Sequence, residues 1–112
     1  MKYNINGYEY KMEYGKNRYE NWRLIEEAEE VDYWLHVDEY PSTHVIIEYN
    51  ENVDEDVLKY GAQLCVNKTN SIKKDSKVNV ICTNVSNIMK GKSVGEVYIK
   101  DMSNVKYIRI KK

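Results

Sequence analysis

The chain has 112 residues, 42% hydrophobic and 31% charged, with a formal net charge of −1. That length fits one domain over residues 1–112 with one core, the composition excludes a disordered chain, and no run approaches the ~18 apolar residues of a membrane-spanning helix. Charge is unevenly spread: residues 1–66 carry six Lys/Arg and fifteen Asp/Glu, a net of −9, whereas residues 67–112 carry eleven and three, a net of +8.

Strands and helices can be assigned in chain order from hydrophobic period. Tyr8 to Tyr14 alternates strictly, placing Tyr8, Tyr10, Met12 and Tyr14 on one face of a half-buried strand. Gly15-Lys16-Asn17 is a turn. A short helix is predicted over residues 21–29, with Trp22, Ile25 and Ala28 at helical spacing. Val31 to Val37 reads as a strand, Asp38 to Thr43 as a loop around the single proline, Pro41, and His44 to Tyr49 as the returning strand of a hairpin. A capping box at Asn52 and Glu55 opens a long helix over about 54–69, whose acidic start and basic end suit its dipole. Further strands are predicted at Lys77 to Cys82, Glu96 to Lys100 and Val105 to Ile110, the last with Ile108 and Ile110 inward. The sum is an α+β fold: one five- to six-stranded, mostly antiparallel sheet with one long and one short helix.

Some chemistry can be set aside early. Cys65 and Cys82 are too few for a disulfide framework and sit among apolar neighbours, so both are expected as reduced core thiols. Gly91-Lys92-Ser93 lacks the upstream glycine of a phosphate-binding loop, because position 86 is serine. The N-terminus has no signal-like apolar run, which makes an intracellular, cytoplasmic protein the expectation. There is no Phe, but eleven Tyr and two Trp. Buried hydroxyls need partners, so several of these rings should lie at strand edges or the surface.

One cluster remains. Alternation puts Asp32, Trp34 and His36 on one face of their strand, and the hairpin through Pro41 returns His44 beside His36. Four readings fit: a structural Asp32–His36 pair with Trp34 in the core; a metal held by His36, His44 and Asp32, for which the spacing is loose; a general base, although the nearby hydroxyls of Tyr40, Ser42 and Thr43 form no known catalytic motif; and a surface for phosphate or an unstacked base. The residue types alone leave the first and the last nearly even.

The order of the motifs favours the last. Gly15-Lys16-Asn17-Arg18-Tyr19-Glu20-Asn21, then Asp32-Tyr33-Trp34-Leu35-His36-Val37, then Pro41-Ser42-Thr43-His44-Val45 resemble in series the motifs of the NFACT-R domain. Asn70-Ser71-Ile72-Lys73, Val78-Asn79-Val80, Ser86-Asn87-Ile88 and Val94-Gly95-Glu96-Val97 resemble its downstream half. That domain is the small RNA-binding module of ribosome quality-control factors and of stand-alone eukaryotic proteins with a coiled-coil extension. The resemblance covers about residues 15–110. Trp22 stands where the family usually has an acidic residue.

The resemblance implies a non-catalytic nucleic-acid-binding module with no metal or other cofactor. Its expected partner is RNA, transfer or ribosomal, with DNA and the ribosome itself also open, and no membrane. The residues expected at the nucleic acid are Lys16, Asn17 and Arg18 in the first turn, Trp34, His36 and His44 at the hairpin, then Lys68, Lys73, Lys74 and Lys77 following the long helix, with Lys90 beyond. Asp32 and Asn21 are expected to support them. The alternatives are an adaptor docking on the ribosome or a partner protein through the acidic half, and a metal-dependent enzyme using His36, His44 and Asp32. Oligomeric state is not legible.

Overall fold

The structure, a computed structural model, describes residues 1–112. It opens with an unpredicted strand, β1 (Lys2–Ile5), paired with β2 (Tyr8–Tyr14). The connection is Asn6-Gly7, both at positive φ, 53° and 89°. Two consecutive positive φ angles define the turn whose twist matches antiparallel strands, and Asn-Gly is its usual sequence. The signal was therefore present in the chain.

There follow α1 (Arg18–Glu27), β3 (Tyr33–Val37), β4 (His44–Ile47), α2 (Glu55–Asn67), β5 (Lys77–Asn84), β6 (Ile88–Lys90), β7 (Val97–Ile99) and β8 (Lys106–Lys111). Six strands form one sheet in the order β1-β2-β4-β3-β5-β8. All its neighbours pair antiparallel. The α+β class with a mostly antiparallel sheet and two helices is as expected.

Several boundaries differ for local reasons. Helix α1 begins three residues earlier than predicted, because Asn17 is its N-cap and accepts from the Glu20 amide. Asp54, not Asn52, caps α2 through the Val57 amide. Asn52 instead sits in a turn closed by its own amide on the Asn50 side chain. The strand expected at 96–100 does not enter the main sheet. As β7 it pairs with β6 in a separate two-stranded ribbon.

That ribbon completes a second layer. On one face of the sheet, α2 lays Val57, Leu58, Ala62, Cys65 and Val66 over Leu35, Val37, Val45, Ile47 and Val80. On the other, Leu24 of α1 and Ile88 of β6 close over Trp34, Ile46 and Ile81. Alternation along β3 explains both: Leu35 and Val37 face α2, while Trp34 and His36 face α1 and the ribbon. Trp22, the departure from the family pattern, ties the ribbon to α1 by donating from Nε1 to the Glu96 carbonyl at 3.0 Å. Both cysteines are free and buried in the main core, where burial pushes each thiol up to about 12.

Candidate nucleic-acid interface

The first motif works mainly by packing. Gly15 is buried, and a Cβ there would fall 2.0 Å from Asn21 Oδ1. Only glycine allows that approach, and the approach lets Asn21 Oδ1 accept from the His44 amide at 3.2 Å. The Gly15 amide in turn donates to the His44 carbonyl, and Thr43 Oγ1 donates to the Gly15 carbonyl. The turn before α1 is thus locked to the start of β4. Asn21, expected to support the site, joins the start of α1 to β4 through this bond. Asn17, expected at a ligand, spends its side chain on the cap.

The locked turn faces the end of α2. Thr69 Oγ1 accepts from the Thr43 amide at 3.2 Å and donates to the Cys65 carbonyl at 2.8 Å. Between these elements lies an open groove of about 360 Å³ with no hydrophobic lining residue. Lys16 and Arg18 line one side, Lys68 and Ser71 the other, with Ser42 and Thr43, just ahead of β4, between them. No carboxylate lines it, and none of the three cations forms an ion pair within the chain. Lys68 lies over the Tyr14 ring at 5.0 Å, and Arg18 over Tyr19 at 5.3 Å. Two groups of residues that are far apart in the chain therefore meet at one site.

The other basic residues do not join them in the same way. Lys73 and Lys74 follow the groove on an exposed turn. Lys77 lines a separate small depression beside Asp38, Glu39 and Arg109. Lys90 pairs with Glu26 and lies over the Trp22 ring at 4.9 Å, so its charge is used to fasten the ribbon to α1.

The hairpin cluster also separates. Asp32 lies at the far end of β3 from His36; its carboxylate accepts from the Glu29 and Tyr49 amides at 2.9 and 2.8 Å. The Asp32–His36 pair of the structural reading is therefore not formed. No three His, Cys, Asp or Glu side chains converge at metal-binding spacing, so the geometry assumed for a metal-dependent enzyme is not there. The nearby Ser42 hydroxyl donates to the Thr43 carbonyl and accepts from the Val37 amide, and Thr43 is tied to Gly15.

What does assemble is an aromatic triad. Trp34 and His36, two apart on β3, stack with ring centroids 5.5 Å apart and planes at 16°. His44, directly across the hairpin from His36, meets it edge-on at 4.9 Å. Trp34 is 3% exposed and His44 2%, while His36 is half-buried. Trp34 Nε1 donates to His44 Nδ1 at 3.2 Å. Trp34 and His44 hold His36 from the interior, and His36 presents most of the triad's exposed ring surface. The triad floors a second depression of about 340 Å³, walled by Tyr40 and Pro41 on the hairpin and by Val97 and Ile99 on the ribbon. Pro41 also lines the polar groove, so the two depressions adjoin.

Burial pushes the His44 imidazole down to about 3, with His36 adding to the effect. His36 is lowered by burial too, opposed by a hydrogen bond to the Val37 backbone and by the charge of Asp38. A histidine held neutral in the fold binds a proton more readily once unfolded. Its contribution is full above the unfolded value of about 6.5 and is lost as pH falls below that towards 3. Between pH 7.5 and 5.5, His44 is expected to lower stability by about 1.4 kcal/mol. Urea unfolding at the two pH values checks this, with His44→Asn removing most of the pH dependence. A flat profile in the parent protein contradicts the buried neutral triad.

Sequence reasoning missed the groove residues Ser42, Asn70 and Ser71 and the pocket walls Val97 and Ile99. The Thr69-Asn70-Ser71 cluster after α2 was a visible loop signal. Of the ribbon only the β7 strand was expected; its partner β6, three residues long, carries no periodicity.

Comparison with known proteins bears on the family and the fold. Residues 3–101 match the family described as NFACT protein RNA binding domain. Coiled-coil domain-containing protein 25 of Mus musculus is 34% identical over 117 residues, covering 96% of this chain and 55% of that protein. The Dictyostelium discoideum homolog is 30% identical, covering 85% and 50%. The chain thus spans about half the length of the curated relatives it matches. The C-terminal part of a fibronectin/fibrinogen-binding protein from Streptococcus suis superposes with a TM-score of 0.81 over 98% of this chain and 43% of that one, at 22% identity, a likeness of fold. By sequence, then, this chain belongs to the NFACT RNA-binding domain family.

Proposed function

We propose that this chain is a non-catalytic RNA-binding module that seats a sugar-phosphate backbone in the groove of Lys16, Arg18 and Lys68. The observation that carries the reading is the groove's makeup: three cations without ion-pair partners, hydroxyl and amide side chains between them, and no carboxylate. Phosphate oxygens are acceptors with full negative charge, and such a surface supplies donors and positive potential together. The rest of the protein helps by contrast. Residues 1–66 are strongly acidic, so a polyanion is repelled from much of the surface and steered to this one. The resemblance to modules of ribosome quality-control factors supports ribosomal or transfer RNA as the strand, met in the cytoplasm.

Amide NMR mapping tests the site. Titration with a twelve-nucleotide uridine RNA is expected to shift the amides of residues 16–18, 42–43 and 68–71 together. Shifts confined to other surfaces, or none, contradict the reading. A deoxy strand of the same length reads the preference for RNA over DNA, to which the 2′-hydroxyl is the chemical handle.

The adaptor reading has its own observation. A depression of about 200 Å³ between α1 and the sheet is bordered by Glu13, Glu27, Asp32 and Glu48, against one cationic side chain, Lys11. It suits a basic segment and can coexist with the groove.

A further inference from the structure

We propose that the depression beside the groove is a subsite for one unstacked guanine base of the bound strand. This rests on the phosphate-groove reading and adds to it a base specificity.

The geometry begins with β3. Trp34 and His36 form a stack along the strand, and the indole covers one face of the imidazole. The other face points on along β3 towards position 38. A planar base entering the depression continues that stack, with Val97 and Ile99 of the ribbon against its edge as apolar wall. Stacking on aromatic side chains is the usual way a protein holds a base taken out of its own stack. It is tolerant of identity, so the polar groups around the rings must choose the base.

The groups that the choice of base turns on are a ring donor on His44 and the carboxylates of Asp38 and its neighbour Glu39. His44 Nδ1 accepts from Trp34, which leaves the ring proton on Nε2. That N–H makes no hydrogen bond within the protein, yet no buried side-chain nitrogen or oxygen lacks a partner, so it opens into the depression. Asp38 and Glu39 both line the depression without an ion-pair partner, and Asp38, half-buried where Glu39 is exposed, is the acceptor set nearer the stack. Asp38 sits two residues beyond His36 in the chain, and its charge acts on the imidazole. Glu96, the carboxylate on the ribbon side, is already engaged by the Lys92 amide.

A carboxylate favours a base that offers two adjacent donors. Guanine presents N1–H and the N2 amine side by side. Adenine and cytosine place a ring acceptor beside their amine, and uracil flanks its single donor with carbonyls. Guanine also carries O6 and N7 acceptors, one of which suits the His44 donor. The depression's acidic edge disfavours phosphate, whereas the adjoining groove favours it. The pair matches the polarity of one nucleotide: anion on one side of Pro41, donor-bearing base on the other.

Fluorescence polarisation with seven-nucleotide RNAs tests this. An all-uridine strand reads the groove. A central guanosine is expected to tighten binding about tenfold, inosine, which lacks the N2 amine, to lose most of that gain, and adenosine to add little. Asp38→Asn is expected to erase the guanosine advantage and leave uridine-strand affinity unchanged, with circular dichroism confirming the fold. A guanosine strand that binds no tighter than uridine, or an advantage that survives Asp38→Asn, overturns the subsite while salt-sensitive uridine binding keeps the groove. If no strand binds at low salt, both readings fall.

Discussion

Trp34→Ala is expected to destabilise the protein by about 4 kcal/mol, because it removes a buried indole and leaves a cavity under His36. A domain of this size has roughly 5–15 kcal/mol in total, so the variant should unfold at much lower urea. Two effects add here. The indole is the centre of the smaller core, with Leu24, Ile46, Ile81 and Ile88 around it. It also supplies the only partner of His44 Nδ1. Trp34→Phe separates them: the ring volume is mostly kept, but the imidazole nitrogen is left unpaired, for about 1–3 kcal/mol. His36→Ala should do the reverse. Its ring is half-buried, so stability should fall less while RNA affinity falls more. If Trp34→Ala were as stable as the parent and merely bound RNA less well, the tryptophan would be a surface platform and the triad account would be wrong.

The same residues show what was legible in the chain. Strand alternation placed Trp34 and His36 on one face, and the proline-bearing hairpin placed His44 opposite His36; both hold in the structure. Alternation could not say which end of the strand matters. Asp32 shares the face of His36 but lies two residues beyond Trp34, at the other end of the stack, and it is occupied by the amides of Glu29 and Tyr49. Whether the face was solvent or core was also hidden, because its cover is the ribbon of β6 and β7. The basic residues teach a similar lesson. Lys16 and Lys68 are 52 positions apart and were assigned to different patches. They meet because Gly15, Asn21 and Thr69 lock the first turn and the end of α2 to β4. A pairing of that kind depends on side-chain to backbone hydrogen bonds, which leave no periodic trace. Lys90 looked equivalent to them in composition, yet its charge is consumed by Glu26.

The second large effect concerns binding. Replacing Lys16, Arg18 and Lys68 together by Gln removes all three groove cations and disturbs no buried contact, since each is exposed. Counterion release makes affinity for a single strand fall with salt at roughly 0.7 per neutralised phosphate. Three contacts therefore contribute about 2 to the slope, which corresponds to about a hundredfold in affinity at 0.1 M salt. The loss should be uniform across sequences, because phosphate contacts carry no base information. Substituting Lys77 and Lys90 instead should change the slope little, since the first lies beside Asp38 and Glu39 and the second is already paired.

The most direct measurement is the salt dependence of RNA affinity for the parent and the groove triple variant, taken from 0.05 to 0.5 M salt. The account predicts a slope lower by about 2 in the variant, with the two lines converging as salt rises. Parallel lines, with the slope unchanged when all three cations are gone, would contradict it.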